Sequence, residues 1–204
     1  MLKFKSINKM KHRRNLIGFL VLMLTLPFLS GCGYNRLVEQ DEQIAQQWAQ
    51  VENAYQRRAD LIPNLVNTVK GYADFEQETL TQVIEARSKA TAVNINPENL
   101  NPEAINRFEA AQDQLSSALS RLLVTVERYP DLKANQNFLE LQAQLEGTEN
   151  RIAFERKKFN DAVANYNTSV RKFPRNIVAA LFGFDRKGYF EASEGAEEAP
   201  QVEF

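Results

Sequence analysis

From Leu37 onward, apolar side chains recur at Leu37, Ile44, Trp48, Val51, Tyr55, Ala59, Ile62, Val66, Val69, Ala73, Leu80 and Val83. The steps are of three or four residues, with Asp41 and Glu76 standing where two more apolar residues would fall. This spacing predicts an amphipathic helix of heptad, coiled-coil type. The phase survives Pro63. A proline inside a helix usually kinks it, and constant phase argues for a kink over a reversal. Gly71 after Lys70 is a helix-stop signal, and Asp74 with Gln77 forms a capping-box-like restart. The chain therefore either turns at residues 71–73 or runs on to about Val93.

Asn94 to Asn101 reads as a loop by its Asn and Pro content. Asn101-Pro102-Glu103 is a helix start: a capping residue, proline at the first helical position, an acid in the first turn. The stripe Ile105, Phe108, Ala111, Leu115, Leu119, Leu122, Val126, Tyr129 marks the buried face of the next helix. Pro130 stops it, and residues 130–135 are expected to connect to a further helix. That helix presents Phe138, Leu141, Leu145, Thr148, Ile152, Phe159, Val163, Tyr166, Val170 and Phe173 before Pro174. Ile177 to Phe184 is a short apolar piece, read as a final turn of helix capping the bundle. Residues 191–204 are acidic and aperiodic, a composition that favours disorder.

An unbroken helix from Leu37 to Val93 would be about 85 Å long, against about 42 and about 55 Å for the two later long helices. A break at Gly71 gives four helices of comparable length. If the helix does not break, the Leu37 to Tyr55 stripe must meet helix three, a second subunit or a partner.

Tyr55 to Phe75 reads YQRRADLIPNLVNTVKGYADF; YPDLKANQNF (Tyr129 to Phe138), LEGTENRI (Leu145 to Ile152), and Asn160 with Tyr166-Asn167 before Phe173-Pro174 follow it. In these motifs and their order the chain resembles the LemA family, bacterial proteins with an N-terminal membrane anchor. The resemblance covers about Tyr34 to Phe190. It implies an all-α, antiparallel up-and-down four-helix bundle over 33–190, in the cell envelope. It implies no activity, because the family's biochemical role is not established.

The N-terminus sharpens the compartment. Residues 1–31 carry Lys3, Lys5, Lys9, Lys11, Arg13 and Arg14 and no acid; without them the chain has 19 basic against 26 acidic residues, a net charge of −7. The basic stretch is followed by the apolar run Leu16 to Leu29 and then by Leu29-Ser30-Gly31-Cys32. This describes a secretory signal over 1–31 with a bacterial lipobox, in which Cys32 is lipidated. The alternative is an uncleaved, single-pass inner-membrane anchor. Fourteen residues span only about 21 Å as a helix, short of a hydrocarbon core of about 30 Å. Gly33 follows the cysteine, where resemblance to the sorting rules of bacterial lipoproteins implies that an aspartate would favour the inner membrane; in a cell with two membranes this favours the outer one, with the bundle in the periplasm. A net-negative body is a poor partner for nucleic acid or an anionic lipid surface.

The chemistry available is narrow. The lone His12 lies in the signal region, and Cys32 is the lone cysteine. No disulfide, zinc site, di-iron Glu-x-x-His pair, His-based catalytic triad or glycine-rich phosphate loop can be built. No metal, no cofactor and no catalytic residue are expected. The candidates for chemistry are Arg57, Arg58, Asp60, Asn64 and Asn67 on the first helix, with Asn160 and Asn167 spaced alike on a later one. One reading is an interhelical hydrogen-bond and ion-pair network that sets register. A second is a polar pocket for a small ligand or a partner's terminus. Asp60, just before Pro63, is expected to hold Arg57, Arg58 or a residue of the third long helix and so fix the kink. The reading as a whole is a non-enzymatic envelope interaction or scaffold module, with protein partners and a possible homo-oligomer. A binding module with a polar groove is the alternative.

Overall fold

A computed structural model describes residues 2–71 and 76–191, with side chains from Gly33 onward. The features expected at 1–31 and Cys32 rest on side chains outside the described residues, as does the segment 192–204. The chain is an all-α helical bundle. Its helices are α1 (Leu2–Lys70), α2 (Gln77–Ala92), α3 (Pro102–Val126), α4 (Pro130–Lys133), α5 (Gln136–Arg171) and α6 (Arg175–Phe182), with a 3-10 turn at Pro97–Asn99.

The break at Gly71 is real: α1 ends at Lys70 and α2 begins at Gln77 behind Glu76, which makes no side-chain capping bond. Asp74, expected in a capping box, is outside the described residues. Pro63 does not end the helix: α1 is continuous through its position. The other boundaries follow local chemistry. Asn101 Oδ1 accepts from the Ala104 N–H at 2.8 Å, with Pro102 opening α3. Asn135 Oδ1 accepts from the Phe138 N–H at 3.1 Å at the start of α5. Residues 130–135, expected as plain loop, contain α4, because Pro130 supplies the fixed φ and missing N–H that suit a first helical turn.

The chain divides into two compact units, residues 43–164 with 187–204, and residues 1–42 with 165–186. In the larger unit the core runs from Ile62, Leu65, Val66 and Val69 on α1 through Leu80, Val83, Ala86 and Ala90 on α2. It continues through Leu115, Ala118, Leu119, Leu122 and Val126 on α3, then Leu132, Phe138 and Leu145. Contacts fix the helix directions. Moving from Trp48 to Arg58 along α1, the partner on α5 steps back from Phe159 to Glu149, so these helices are antiparallel. Moving from Tyr55 to Arg58, the partner on α3 steps forward from Phe108 to Gln112, so those two are parallel.

Beyond this aliphatic core lies an aromatic cluster. The Trp48 ring meets Phe108 and Phe159 edge-on, at 5.1 and 5.6 Å between centroids, and stacks on Phe190 at 6.0 Å. Phe190 arrives on an irregular strap. The Gly188 N–H donates to Leu100 C=O at 2.8 Å. A Cβ on Gly188 would lie 2.7 Å from Pro102 Cα, so only glycine lets the two backbones approach this closely.

The smaller unit buries Leu37, Gln40, Tyr166 and Asn167. Gly183, at φ 72°, closes α6 with a Schellman-type bond from the Phe184 N–H to Ala179 C=O at 3.0 Å. The Tyr34 ring packs edge-on against Phe182 and Phe184. Two expectations fail here. Phe173, expected in the core, is 81% exposed. The piece expected to cap the bundle buries only Val178 and Ala179 of α6 and leaves Ile177, Leu181 and Phe182 exposed. A helix of eight residues turns only one face inward, and the apolar run is wider than that face.

Candidate binding groove and the polar network beside it

Two consecutive arginines on α1 point in different directions. Arg58 is 1% exposed. Its Nη1 donates to Ser116 Oγ at 2.8 Å and to Glu149 Oε1 at 2.6 Å; its Nη2 donates to Gln112 Oε1 at 2.8 Å and to Gln112 C=O at 3.3 Å. The guanidinium also lies 5.1 Å from the centroid of the Tyr55 ring. Gln112 in turn donates to Ala90 C=O at 3.2 Å. One arginine and one amide thus connect α1, α2, α3 and α5. A guanidinium can do this because its planar donors are fixed in a fork and it stays charged when buried.

Pro63 creates a second polar link. Its ring nitrogen cannot donate to Ala59 C=O. Arg87 Nε, from α2, takes that place at 2.8 Å. The carbonyl released by the proline becomes a tie between helices.

Arg57 faces outward and lines an open groove between α1 and α5, with a volume of about 570 Å³. Gln50, Asn53, Ala54, Arg57 and Leu61 form one wall, and Gln144, Gly147, Thr148 and Arg151 the other. None of these lining residues is an acid. Arg151 Nη2 also lies 2.7 Å from Oε1 of the buried Glu155, an ion pair that is off the direction a hydrogen bond prefers. A smaller cavity of about 130 Å³ lies beside Glu52, Tyr55 and Gln112. Burial holds the Glu52 carboxyl above the usual carboxylate range, opposed by the Trp48 indole, which makes no well-formed hydrogen bond. Burial likewise raises Glu109, with the Arg156 guanidinium pulling the other way. Among the described residues no group of three or more His, Cys, Asp or Glu side chains could hold a metal ion.

A profile of the LemA family matches residues 47–204, most of the chain. The chain belongs to the LemA family. It is 26% identical to a protein named LemA from Metamycoplasma hominis over 78% of this chain and 69% of the relative. It is 27% identical to magnetosome protein MamQ 2 of Paramagnetospirillum magneticum over 78% of this chain and 64% of the relative. It is also 27% identical to magnetosome protein MamQ of Magnetospirillum gryphiswaldense, over 77% and 64%. The matches thus span about two thirds of these relatives' own lengths.

The LemA signature residues differ in their surroundings. Arg58 is the buried hub, and Arg57 lines the groove. Asp60, Asn64 and Asn67 are exposed. Asp60 does not hold Arg57, Arg58 or α5, as the sequence led us to expect; Oδ1 accepts from Gln56 Nε2 at 2.7 Å, one turn back on the same helix. Asn160 clamps the strap: its Nδ2 donates to Phe190 C=O and its Oδ1 accepts from the Phe190 N–H, both at 2.9 Å. Asn167 is buried in the smaller unit. Spacing had grouped Asn160 with Asn167, but seven residues is two turns, enough to reach different surroundings.

Sequence reasoning missed Gln112, Glu149, Arg87 and the Arg156–Glu109 ion pair, in which Arg156 also lies 4.7 Å from the Phe190 ring centroid. Gln112 carried a signal. It occupies the step between Phe108 and Leu115, a core position in the stripe, where a polar residue must be satisfied. Glu155, 1% exposed, sits the same way between Ile152 and Phe159. Ala111, read into the stripe instead of Gln112, is only partly buried.

Proposed function

We propose that this LemA-family chain is a membrane-anchored, non-enzymatic interaction module that holds an acidic partner segment in the groove between α1 and α5. The observation that carries this reading is the groove wall. Arg57 and Arg151 face an opening otherwise lined by amides, Thr148, Leu61 and small residues, with no acid among them. Guanidinium groups beside amide donors suit carboxylates, which they bind in bidentate fashion. Arg58, Gln112 and Arg87, by contrast, are engaged in tying helices together. The charge of the groove also sets it apart from a chain that is net acidic beyond residue 31.

Anchoring is part of the proposal. A lipid on Cys32 after removal of 1–31 is the favoured form, facing the periplasm from an outer membrane; a single-pass inner-membrane helix is the alternative. Among the described residues no helix is long and apolar enough to cross a membrane. Labelled palmitate should enter the wild type and be lost with Cys32→Ala; a Cys32→Ala protein that remains membrane-bound and unprocessed would favour the single-pass form. The magnetosome names of the MamQ relatives give those proteins a place, not an activity. The partners here are proteins yet to be identified, a second copy of the chain included, and not nucleic acid.

In vivo crosslinking from intact cells tests the groove. Arg57→Glu with Arg151→Lys, which keeps a cation beside the buried Glu155 but removes the guanidinium fork, should abolish specific crosslinked partners while leaving the melting transition in place. Unchanged crosslinks would remove the groove from the interaction. The groove volume also lies in the range of small-molecule sites, which supports a second reading as a binder of a carboxylate ligand. Such a ligand would raise the melting temperature in proportion to the logarithm of its concentration, and the double variant would lose that response.

A further inference from the structure

The smaller unit carries an exposed apolar edge. Phe173 is 81% exposed, Leu181 75%, Phe182 60% and Ile177 51%. Ile177 and Leu181 are one turn apart on α6, with Val178 and Ala179 turned inward. Leaving four large apolar side chains exposed together costs solvation free energy unless something covers them.

Two observations say what covers them. The first is position. A side chain at Gly33 would meet Val178 and Arg175, and the Tyr34 ring lies 4.9 Å from Phe182. Residues 33 and 34 follow Cys32 and the apolar run Leu16 to Leu29 directly in sequence. The edge is therefore held against the part of the chain that emerges from the anchor. The second is charge. From Arg171 to Phe184 the chain has Arg171, Lys172 and Arg175 and no acid, although the chain beyond residue 31 carries a net −7. A short helix with apolar residues exposed, cations flanking it and aromatic rings at its margin has the composition of an interfacial membrane contact.

We infer that Phe173, Ile177, Leu181 and Phe182 insert into the headgroup boundary of the bilayer that holds the anchor, with Arg171, Lys172 and Arg175 on anionic headgroups. This rests on the membrane-anchored reading above. It also amends the expectation that the acidic body makes a poor partner for anionic lipid: the balance of the whole chain conceals a local cationic edge. The anchor and this edge are two attachments. Together they hold the smaller unit against the lipid surface more firmly than either alone, because the second contact forms at high effective concentration.

The test uses the full chain reconstituted into vesicles of phosphatidylcholine and phosphatidylglycerol, with and without lipids brominated at shallow acyl positions. Trp48 is the only native tryptophan and is buried in the larger unit, so the wild type gives the background. Leu181→Trp places a reporter at an exposed position. Its added emission should be blue-shifted and fall by about half in brominated vesicles, as expected at an insertion depth of about 5–10 Å. Arg171, Lys172 and Arg175 replaced together by Gln should weaken that quenching. Water-like, unquenched emission would overturn the inference by leaving the edge in solvent. Blue-shifted but unquenched emission would overturn it in favour of a protein cover, such as a second copy. Failure of the protein to float with vesicles at all would instead sink the anchored reading.

Discussion

Arg87 Nε lies 2.8 Å from Ala59 C=O, the carbonyl that Pro63 leaves without its helical donor. A side chain of α2 thus completes a hydrogen bond that α1 cannot make for itself. Losing it strands a part-buried acceptor, so Arg87→Ala should cost about 1–3 kcal/mol. Pro63→Ala returns a backbone donor to that carbonyl. In that background the cost of Arg87→Ala should shrink by at least half. A double-mutant cycle in urea measures the coupling, and equal costs in both backgrounds would refute the relay.

Arg58 and Asp60 should separate cleanly. Arg58→Ala leaves the buried Gln112 amide without its partner and a cavity where the guanidinium lay, while the half-exposed Glu149 turns to water, and should cost about 2–5 kcal/mol. Asp60→Asn touches an exposed carboxylate whose partner is Gln56 and should stay within about 0.5 kcal/mol. Denaturant melts compare the two. A large loss at Asp60 would mean that it has a partner other than Gln56.

The strap should be as much a part of the larger unit as its helices. Gly188→Ala drives a methyl into Pro102 backbone, which cannot move as a side-chain tip could. Phe190→Ala empties a place among Trp48, Phe108 and Phe159 and should cost about 3–5 kcal/mol. Both variants should lower the melting temperature and shift Trp48 emission to the red. A Phe190→Ala protein with unchanged Trp48 emission would show that the strap is not seated in solution.

Alkaline pH should unfold the chain. Burial raises Tyr166 above its usual 10.0, helped by the Asp41 and Asp185 carboxylates. Burial also raises Tyr55, against the pull of Arg156 and Arg58. A tyrosine that ionises later in the folded than in the unfolded state holds more protons when folded. Its stabilisation is complete below the unfolded value and drains away as pH rises past it. Each residue contributes a slope of up to about 1.4 kcal/mol per pH unit in that window. Urea melts across the window, with tyrosinate absorbance followed in parallel, check this. Early ionisation of all six tyrosines without loss of structure would contradict it.

Most of the helices and their inward faces are legible in the sequence, α4 and the Phe173 end of the last stripe apart. Heptad spacing, Asn101-Pro102 and the Phe173-Pro174 stop are local signals, and local backbone and capping chemistry is enough to read them. Leu37, Ile44, Trp48, Val51, Ile62 and Val69 are buried where the stripe put them. Tertiary structure decided what local signals leave degenerate. The stripe kept one phase across Gly71 whether or not the helix broke there, so only packing of α2 back onto α1 settles the break. Arg57 and Arg58 are neighbours of one type, and a rotation of about 100° sends one to a groove and the other to a core. Asp60 looked poised to hold an arginine, yet Arg58 found three partners on helices more than fifty residues away. Phe190 gave no periodic signal, because a strap in no regular conformation has no period. Its burial depends on Gly188 passing Pro102 and on Asn160 waiting on α5, which only the folded chain brings together.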